Sequence, residues 1–254
     1  MKPRKTTFLL HRWVGLVISL QLLAWSVGGF TFSILDLDNV HGDTDSQMIE
    51  FTPLSAQAMG QLPEPVQSRL ATLETDSLAQ VALVDRGLGA HWEVRGSDSR
   101  LLARLNLDGE RAGLVTPEQA ERIALRDFVP EDGSGEASVK STTLIEAEAP
   151  SEYREKPLPA YRVELEHVKQ PHIYINAQTG QITARRNRSW RAFDFFWMLH
   201  TMDYKGRDNF NHWLLTGASL LAIFTALSGI ALWGWRVKGR LGRWRRNNRL
   251  SARV

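Results

Sequence analysis

The chain has 254 residues, a formal net charge of +3 and no cysteine. Because it has no thiols, disulfide bonds and thiolate-ligated metal or iron–sulfur centres are excluded. Its terminal segments are rich in basic residues and adjoin apolar runs. Beside such runs, basic residues bind anionic lipid headgroups more often than nucleic acid, so we expect no nucleic-acid partner.

Two long apolar runs predict transmembrane helices. The first covers residues 13–35 (WVGLVISLQLLAWSVGGFTFSIL) and is interrupted only by Gln21 and small hydroxyl residues, whereas the second, residues 213–235, carries no charge. Each is longer than the roughly 20 residues that a helix needs to cross a bilayer. The first run could also be a cleaved signal peptide, but its apolar part is too long and no A-x-A-like site follows it. We therefore interpret both runs as retained membrane spans.

Basic residues flank both spans on the side of the chain termini. They are Lys2, Arg4, Lys5 and Arg12 before the first span, and Arg236, Lys238, Arg240, Arg243, Arg245, Arg246, Arg249 and Arg253 after the second. The positive-inside rule therefore predicts that both termini are cytoplasmic and that the middle of the chain lies outside the cytoplasm. An exported domain without disulfides is compatible with a bacterial periplasm, so we expect a bacterial inner-membrane protein.

The first half of the middle region, about residues 52–111, predicts a helix followed by strands. The helical pattern LSAQAMGQLPEPVQSRLATL is interrupted by Pro63 and Pro65. Three strand-like runs follow, at residues 78–85, 89–96 and 100–111, and turn signals separate or end them.

The second half repeats this order with a clearer helix start. Thr116 suits the N-cap, Pro117 the first helical position, and Gln119 completes a capping box. Apolar residues then recur at helical spacing up to Phe128. Strand-like runs follow at residues 140–149, 159–168 and 171–184. Each half is thus a helix with three or four antiparallel strands, which predicts an α+β fold.

Several motifs together carry a resemblance to a known family. They are TPEQA at residues 116–120, NAQTGQI at 176–182, LLHRWVG at Leu9–Gly15, MLHTM at Met198–Met202 and SGIALWGWR at Ser228–Arg236. The first two resemble PepSY domains, and the chain as a whole resembles the PepSY-associated transmembrane (PepSY-TM) family. The resemblance implies two transmembrane helices flanking a periplasmic domain of two PepSY-like units. Many members of that family have four or more spans, whereas this chain has two.

The motifs and patterns predict six segments. They are a cytoplasmic N-terminus with the first span (1–35), PepSY-like units at 36–112 and 113–188, an interfacial aromatic helix and turn (189–208), the second span (209–236) and a basic cytoplasmic tail (237–254). The aromatic segment RAFDFFWMLHTMDY, residues 191–204, is too short and too charged at its start to cross a bilayer. We predict that it lies as a helix at the periplasmic interface, where Trp and Tyr are favoured.

Three histidines, His11, His200 and His212, lie within or beside the apolar runs, where an ionisable residue is a functional candidate by default. His167 and His172 could face each other across a predicted turn and bind a metal, but without a third ligand we interpret them as surface residues and predict no metal site. The sequence contains no nucleophile–base signature, phosphate-binding glycine loop or metal-binding helix motif. We therefore assign no catalytic residue.

The family resemblance implies that some of these imidazoles ligate haem b, as in members implicated in transmembrane electron transfer and ferric-siderophore reduction. His11 and His200 are the first candidates because they lie on the family-like motifs, and His212 is the third. The residues alone also allow the histidines to bond headgroups or loop carbonyls. Small residues on the spans leave room either for a porphyrin or for helix packing; they are Gly15, Ser19, Ser26, Gly29, Ala218, Ala222, Ala226 and Gly229.

The length of the spans limits how these histidines can combine. A helix of about 20 residues rises about 30 Å, which places His11 on the cytoplasmic side and His200 and His212 on the periplasmic side. His11 therefore cannot share a haem with either of the others within one chain. A haem beside His11 needs a second copy of the chain or a partner, whereas a periplasmic-side haem could use His200 with His212 or residues of two copies.

Two functions follow as expectations. In the first, the protein is an electron-transfer component that reduces a periplasmic ferric chelate or flavoprotein. If it is an enzyme, it is a membrane oxidoreductase subunit. It would act as a homodimer or with a membrane redox partner. In the second, it is a non-redox scaffold whose PepSY-like units regulate or chaperone a periplasmic protein, and the histidines are structural.

Overall fold

The computed structural model describes residues 3–47, 62–72, 78–86, 88–98, 100–130, 133 and 135–251. The chain divides into two compact units, which we call the helical unit (Met1–Ile34 with Phe193–Val254) and the mixed unit (Leu35–Ala192). The described helices are α1 (Pro3–Ile34), α2 (Leu37–His41), α3 (Glu64–Ala71), α4 (Pro117–Asp127), α5 (Arg188–Thr201) and α6 (Trp213–Ser251). The described strands are β1 (Leu78–Val84), β2 (His91–Gly96), β3 (Leu101–Leu105), β4 (Ser138–Ile145), β5 (Ala160–Glu166), β6 (His172–Asn176) and β7 (Ile182–Arg186).

In the helical unit, α1 and α6 are both long and apolar enough to cross a membrane, over Lys5–Ile34 and Trp213–Gly242. Within the 18-residue apolar window of each helix, only 11% of the residues are buried within the protein. Large side chains such as Leu20 and Trp213 are instead exposed. An apolar helix that leaves its side chains exposed in this way requires an apolar solvent, which a bilayer supplies.

Small residues allow α1 and α6 to pack closely in antiparallel directions. A Cβ at Gly15 would lie 3.5 Å from Thr225 Cγ2, and further along the pair Ile18 is buried in a cluster with Ala218 and Met202. Gly15 and Ala218 therefore serve helix packing, one of the two uses that the sequence left open. Gly29, in contrast, has no neighbour within 4 Å of an added Cβ.

The aromatic helix α5 runs along α1, and not across it. The ring of Phe193 lies 4.8 Å from that of Phe32 near the end of α1, whereas His200, two turns later in α5, lies 6.2 Å from Trp25, two turns earlier in α1. Residues later in α5 thus contact residues earlier in α1, so the two helices run in opposite directions where they pack. That α5 lies at the periplasmic interface stays a prediction.

Two side chains of α1, and His212 just before α6, cap the end of α5. Three successive carbonyl oxygens accept hydrogen bonds: Leu199 O from Gln21 Nε2 at 2.9 Å, His200 O from Trp25 Nε1 at 3.0 Å, and Thr201 O from His212 Nε2 at 3.0 Å. The last carbonyls of a helix have no partner within the helix itself. The polar Gln21 within the first apolar run is thereby explained, because it satisfies one of them.

We expect Gln21→Leu to destabilise the helical unit by about 1 kcal/mol, because Leu199 O then lacks a donor in apolar surroundings. Thermal unfolding of the full-length protein in detergent measures this. Ser26→Ala is the matched control, since Ser26 Oγ donates only to Leu22 O of its own helix. Equal stability of the two variants would show that the Gln21 cap contributes nothing.

The mixed unit contains two antiparallel sheets, with strand orders β1-β2-β3 and β4-β5-β6-β7. In the first half, Val66 of α3 packs in a buried cluster with Val81, Val94 and Leu105 of the three strands. In the second, α4 buries Ala120, Ile123 and Ala124 against Val163 and Ile173, in a cluster that includes further strand residues. The predicted α+β class, with a helix and an antiparallel sheet in each half, is confirmed. The part of the predicted first helix before Leu62 lies outside the described residues.

Local sequence signals account for the starts and turns of these halves. The predicted capping box at α4 is confirmed, because Thr116 Oγ1 accepts from Gln119 N–H and Gln119 Oε1 accepts from Thr116 N–H. The turns that end the two halves also correspond. In each, an asparagine Oδ1 accepts two backbone N–H groups, at Asn106 and Asn176, and a later glycine adopts positive φ, at Gly109 and Gly180.

Candidate functional site

His11, on α1, pairs with α6 through a hydroxyl group. Its Nδ1 lies 2.8 Å from Ser228 Oγ, and Ser228 Oγ donates to the carbonyl oxygen of Thr225 at 2.9 Å. A serine hydroxyl has one proton, so both hydrogen bonds form together only in the tautomer of His11 that carries its proton on Nδ1. In that tautomer of the neutral ring, Nε2 keeps its lone pair.

A glycine on α6 makes room for this imidazole. A Cβ at Gly229 would lie 3.2 Å from His11 Cε1, which is closer than ordinary van der Waals contact. His11 Nε2 has no hydrogen-bond partner among the described residues, so the geometry that fixes Nδ1 leaves the other nitrogen available as a ligand atom.

His11 and Gly229 line a cavity of about 850 Å³ in the helical unit. Its other lining residues are apolar or basic: Phe8, Leu9, Leu232 and Trp233, with Lys5 and Arg236. The volume lies within the range of small-molecule and cofactor sites, which are mostly apolar with a few placed polar groups. The cavity is therefore suited to a flat apolar molecule that carries anionic substituents.

Haem meets these requirements at His11. Histidine ligands of metals usually donate the proton of the second ring nitrogen to a neighbouring acceptor, which fixes the tautomer and the ring orientation. Ser228 is that acceptor here. The apolar walls suit the macrocycle, and the cations Lys5 and Arg236 suit its two carboxylates. His11 is the one imidazole among the described residues that line the cavity, so a second axial ligand would have to come from elsewhere.

His212 is committed to capping. Its Nδ1 accepts from Leu215 N–H at 3.3 Å, as an N-cap of α6, and its Nε2 donates to Thr201 O at 3.0 Å. Both ring nitrogens are thus engaged, and haem ligation would require at least one of these bonds to break. The predicted ligand role of His212 gains no support from this geometry.

His200 lies within an aromatic cluster. Its ring centroid is 6.2 Å from that of Trp25, 5.9 Å from Phe32 and 6.3 Å from Trp197. Its Nδ1 is buried and has no hydrogen-bond partner among the described residues. The surroundings are apolar enough for a haem ligand, but none of the described residues supplies the acceptor that would orient such a ligand.

The three candidate histidines occupy two ends of the helical unit, as expected. His212 precedes α6 and donates to the residue after His200, so these two lie at the same end. Ser228, the partner of His11, follows 16 residues later, which corresponds to about 24 Å along a helix. His11 and His212 therefore cannot meet at one iron within a chain.

A carboxylate–imidazole cluster in the mixed unit was not predicted. Glu152 Oε1 lies 2.5 Å from His172 Nδ1 and accepts from Tyr174 Oη at 2.6 Å. Burial would raise the pKa of Glu152, but hydrogen bonds from His172 and Tyr174 and the charges of His172 and Arg191 lower it to about 2. No local sequence signal indicates this cluster, because Glu152 lies in a short 3-10 helix, Ser151–Tyr153, 20 residues before His172.

His167 lines one cavity together with His172 but has different hydrogen-bond and ring partners. Its Nδ1 accepts from Lys169 N–H at 3.2 Å, and its ring packs edge-on against Phe128. In the part of the chain that the structure describes, no group of three or more histidine, aspartate and glutamate residues is arranged to hold a metal ion.

These features define a membrane protein with two apolar helices and a mixed α+β unit of two helix-and-sheet halves. A family model described as the PepSY-associated TM region matches residues 8–253, and the chain belongs to this family. No curated protein and no solved structure matches the chain.

Proposed function

We propose that this protein is a haem b-associated electron-transfer component of the bacterial inner membrane, with His11 as an axial ligand. The observation that supports this most directly is that His11, whose Nδ1 pairs with Ser228, lines an apolar cavity together with two cations, Lys5 and Arg236. The chemistry that a bound haem supplies is one-electron oxidation and reduction.

The residues of this chain have separate tasks in that proposal. Ser228 holds the proton of His11 on Nδ1 and so directs Nε2 toward the ligand. Leu232 and Trp233 exclude water, and Lys5 and Arg236 neutralise the anionic substituents. A second axial ligand would come from His11 of a second copy, which makes a homodimer, or from a membrane redox partner.

Basic flanking residues favour cytoplasmic termini, which place the His11 cavity toward the cytoplasm and the mixed unit in the periplasm. Electrons would then pass outward to a ferric chelate or a flavoprotein. A haem on the periplasmic side would use His200 and not His212. His200 has apolar surroundings, whereas His212 is engaged in capping bonds.

The second candidate is a non-redox membrane scaffold whose PepSY-like halves bind a periplasmic protein. It is favoured by the structural contacts of two of the three histidines, the capping bonds of His212 and the aromatic packing of His200. In that case His11 and Ser228 would only fasten α1 to α6.

The test that separates these functions is a reduced-minus-oxidised difference spectrum of the full-length protein, purified in detergent from cells supplied with haem. The redox function predicts the bands of a b-type haem at a fixed ratio to protein. A well-folded but colourless protein would contradict it and favour the scaffold.

A further inference from the structure

The three-stranded sheet of the mixed unit has a charged face that is nevertheless buried. Along β2, Trp92 and Val94 contribute to the apolar core, so His91 and Glu93 project to the opposite face. Arg104 of β3 is the register partner of Glu93 and lies on that same face. His91 is 5%, Glu93 1% and Arg104 8% exposed.

The carboxylate of Glu93 is already bound by two arginines other than Arg104. Arg86 Nε donates to Glu93 Oε1 at 3.0 Å, and Arg95 Nη2 donates to Glu93 Oε2 at 2.9 Å. Burial would raise the pKa of Glu93, but the imidazole of His91 3.8 Å away, hydrogen bonds from Arg86 and Arg95, and the charge of Arg86 lower it to about 2. Glu93 is therefore ionised, and Arg86 and Arg95 already balance its charge without Arg104.

Arg104 lacks a carboxylate of its own. Its Nη2 donates to the neutral carbonyl oxygen of Gly113, while its Nε and Nη1 are buried without a hydrogen-bond partner among the described residues. Burial lowers the pKa of the Arg104 guanidinium, an effect that the charge of Glu93 opposes. The N–H groups of a buried guanidinium are strong donors that are costly to leave unpaired.

A cavity of about 240 Å³ adjoins this guanidinium. Arg104 and His91 line it together with Thr116 and Gln119, and no acidic residue is among the described residues that do so. Gln119 Oε1 accepts from Thr116 N–H, which leaves the amide NH₂ of Gln119 as a further donor. The polar lining is thus rich in donors and has a positive charge.

We propose that this cavity, which we call the Arg104 site, binds a small oxyanion: a carboxylate, phosphate or sulfate that serves as the counter-ion of Arg104. The amide NH₂ of Gln119 would donate a further hydrogen bond. The volume admits an anion of a few heavy atoms or the carboxylate end of a longer molecule. The Arg104 site lies wholly within the mixed unit and does not depend on haem binding.

Anion-dependent stability tests this proposal. The full-length protein in detergent is unfolded thermally with increasing sodium phosphate, sulfate or acetate, each compared with sodium chloride at equal ionic strength. We expect at least one of the three oxyanions to raise Tm in a saturable way, because a ligand that binds only the folded state stabilises it. Arg104→Gln should weaken that binding about tenfold or more.

The matched control is Arg100→Gln, which removes an exposed arginine just before β3 and outside the cavity; it should bind as the wild type does. If none of the oxyanions raises Tm more in the wild type than in Arg104→Gln, the proposal is overturned. If Arg104→Gln fails to fold, the variant Ala90→Trp tests the proposal instead. Its indole is placed to fill the cavity from an exposed lining position, and the guanidinium of Arg104 is kept. Loss of the oxyanion effect in Ala90→Trp supports the Arg104 site, and an unchanged effect overturns it.

Discussion

Replacement of Glu93 by glutamine is expected to lower the free energy of unfolding of the mixed unit by about 3–5 kcal/mol, the usual cost of removing one member of a buried ion pair. Glu93 is 1% exposed and accepts hydrogen bonds from Arg86 and Arg95. Glutamine keeps the shape but not the charge. Two guanidiniums would then lose their carboxylate on a face where Arg104 already lacks one.

Urea unfolding of the full-length protein in detergent measures this loss, with hydrogen exchange of the β2 segment as the readout. Glu166→Gln, at an exposed position of β5, is the control and should change stability by about 0.5 kcal/mol or less. A Glu93→Gln protein as stable as this control would show that the buried cluster contributes little to the fold.

We also expect the stability difference between the wild type and Glu93→Gln to depend on pH. The pKa of Glu93 falls from 4.5 to about 2 on folding, so the folded state favours the ionised carboxylate. Its contribution is fully present above about pH 4.5 and is lost as the pH falls through about 2. The difference between wild type and Glu93→Gln should therefore shrink within that window. A difference that stays constant down to pH 2 would contradict the charged role of Glu93.

Elements with local signals could be predicted from the sequence. The capping box, a motif of four residues from Thr116 to Gln119, marks the start of α4. The length of the apolar runs identifies the two long helices. The α+β class follows from the alternation of these signals. The packing of α5 against α1 could not be predicted, because its contacts with Phe32 and Trp25 join segments more than 160 residues apart.

The candidate site was predictable only in part. The sequence identified His11 through its place on a family motif and beside an apolar run. It could not identify Ser228, 217 residues away, which fixes the tautomer of His11. Nor could it show that His212 uses both ring nitrogens as caps. Long-range pairing decides which of several similar histidines has a free nitrogen, and spacing along the chain does not carry that information.

The most direct measurement is the reduced-minus-oxidised spectrum of His11→Leu, compared at equal protein concentration with His212→Asn. Leucine removes the Nε2 ligand atom but leaves the bond from Ser228 Oγ to Thr225 O in place. Asparagine at position 212 can still cap α6. We expect His11→Leu to lose the b-haem spectrum while remaining folded, and His212→Asn to keep it. A His11→Leu spectrum equal to that of the wild type would contradict the assignment of His11 as the haem ligand.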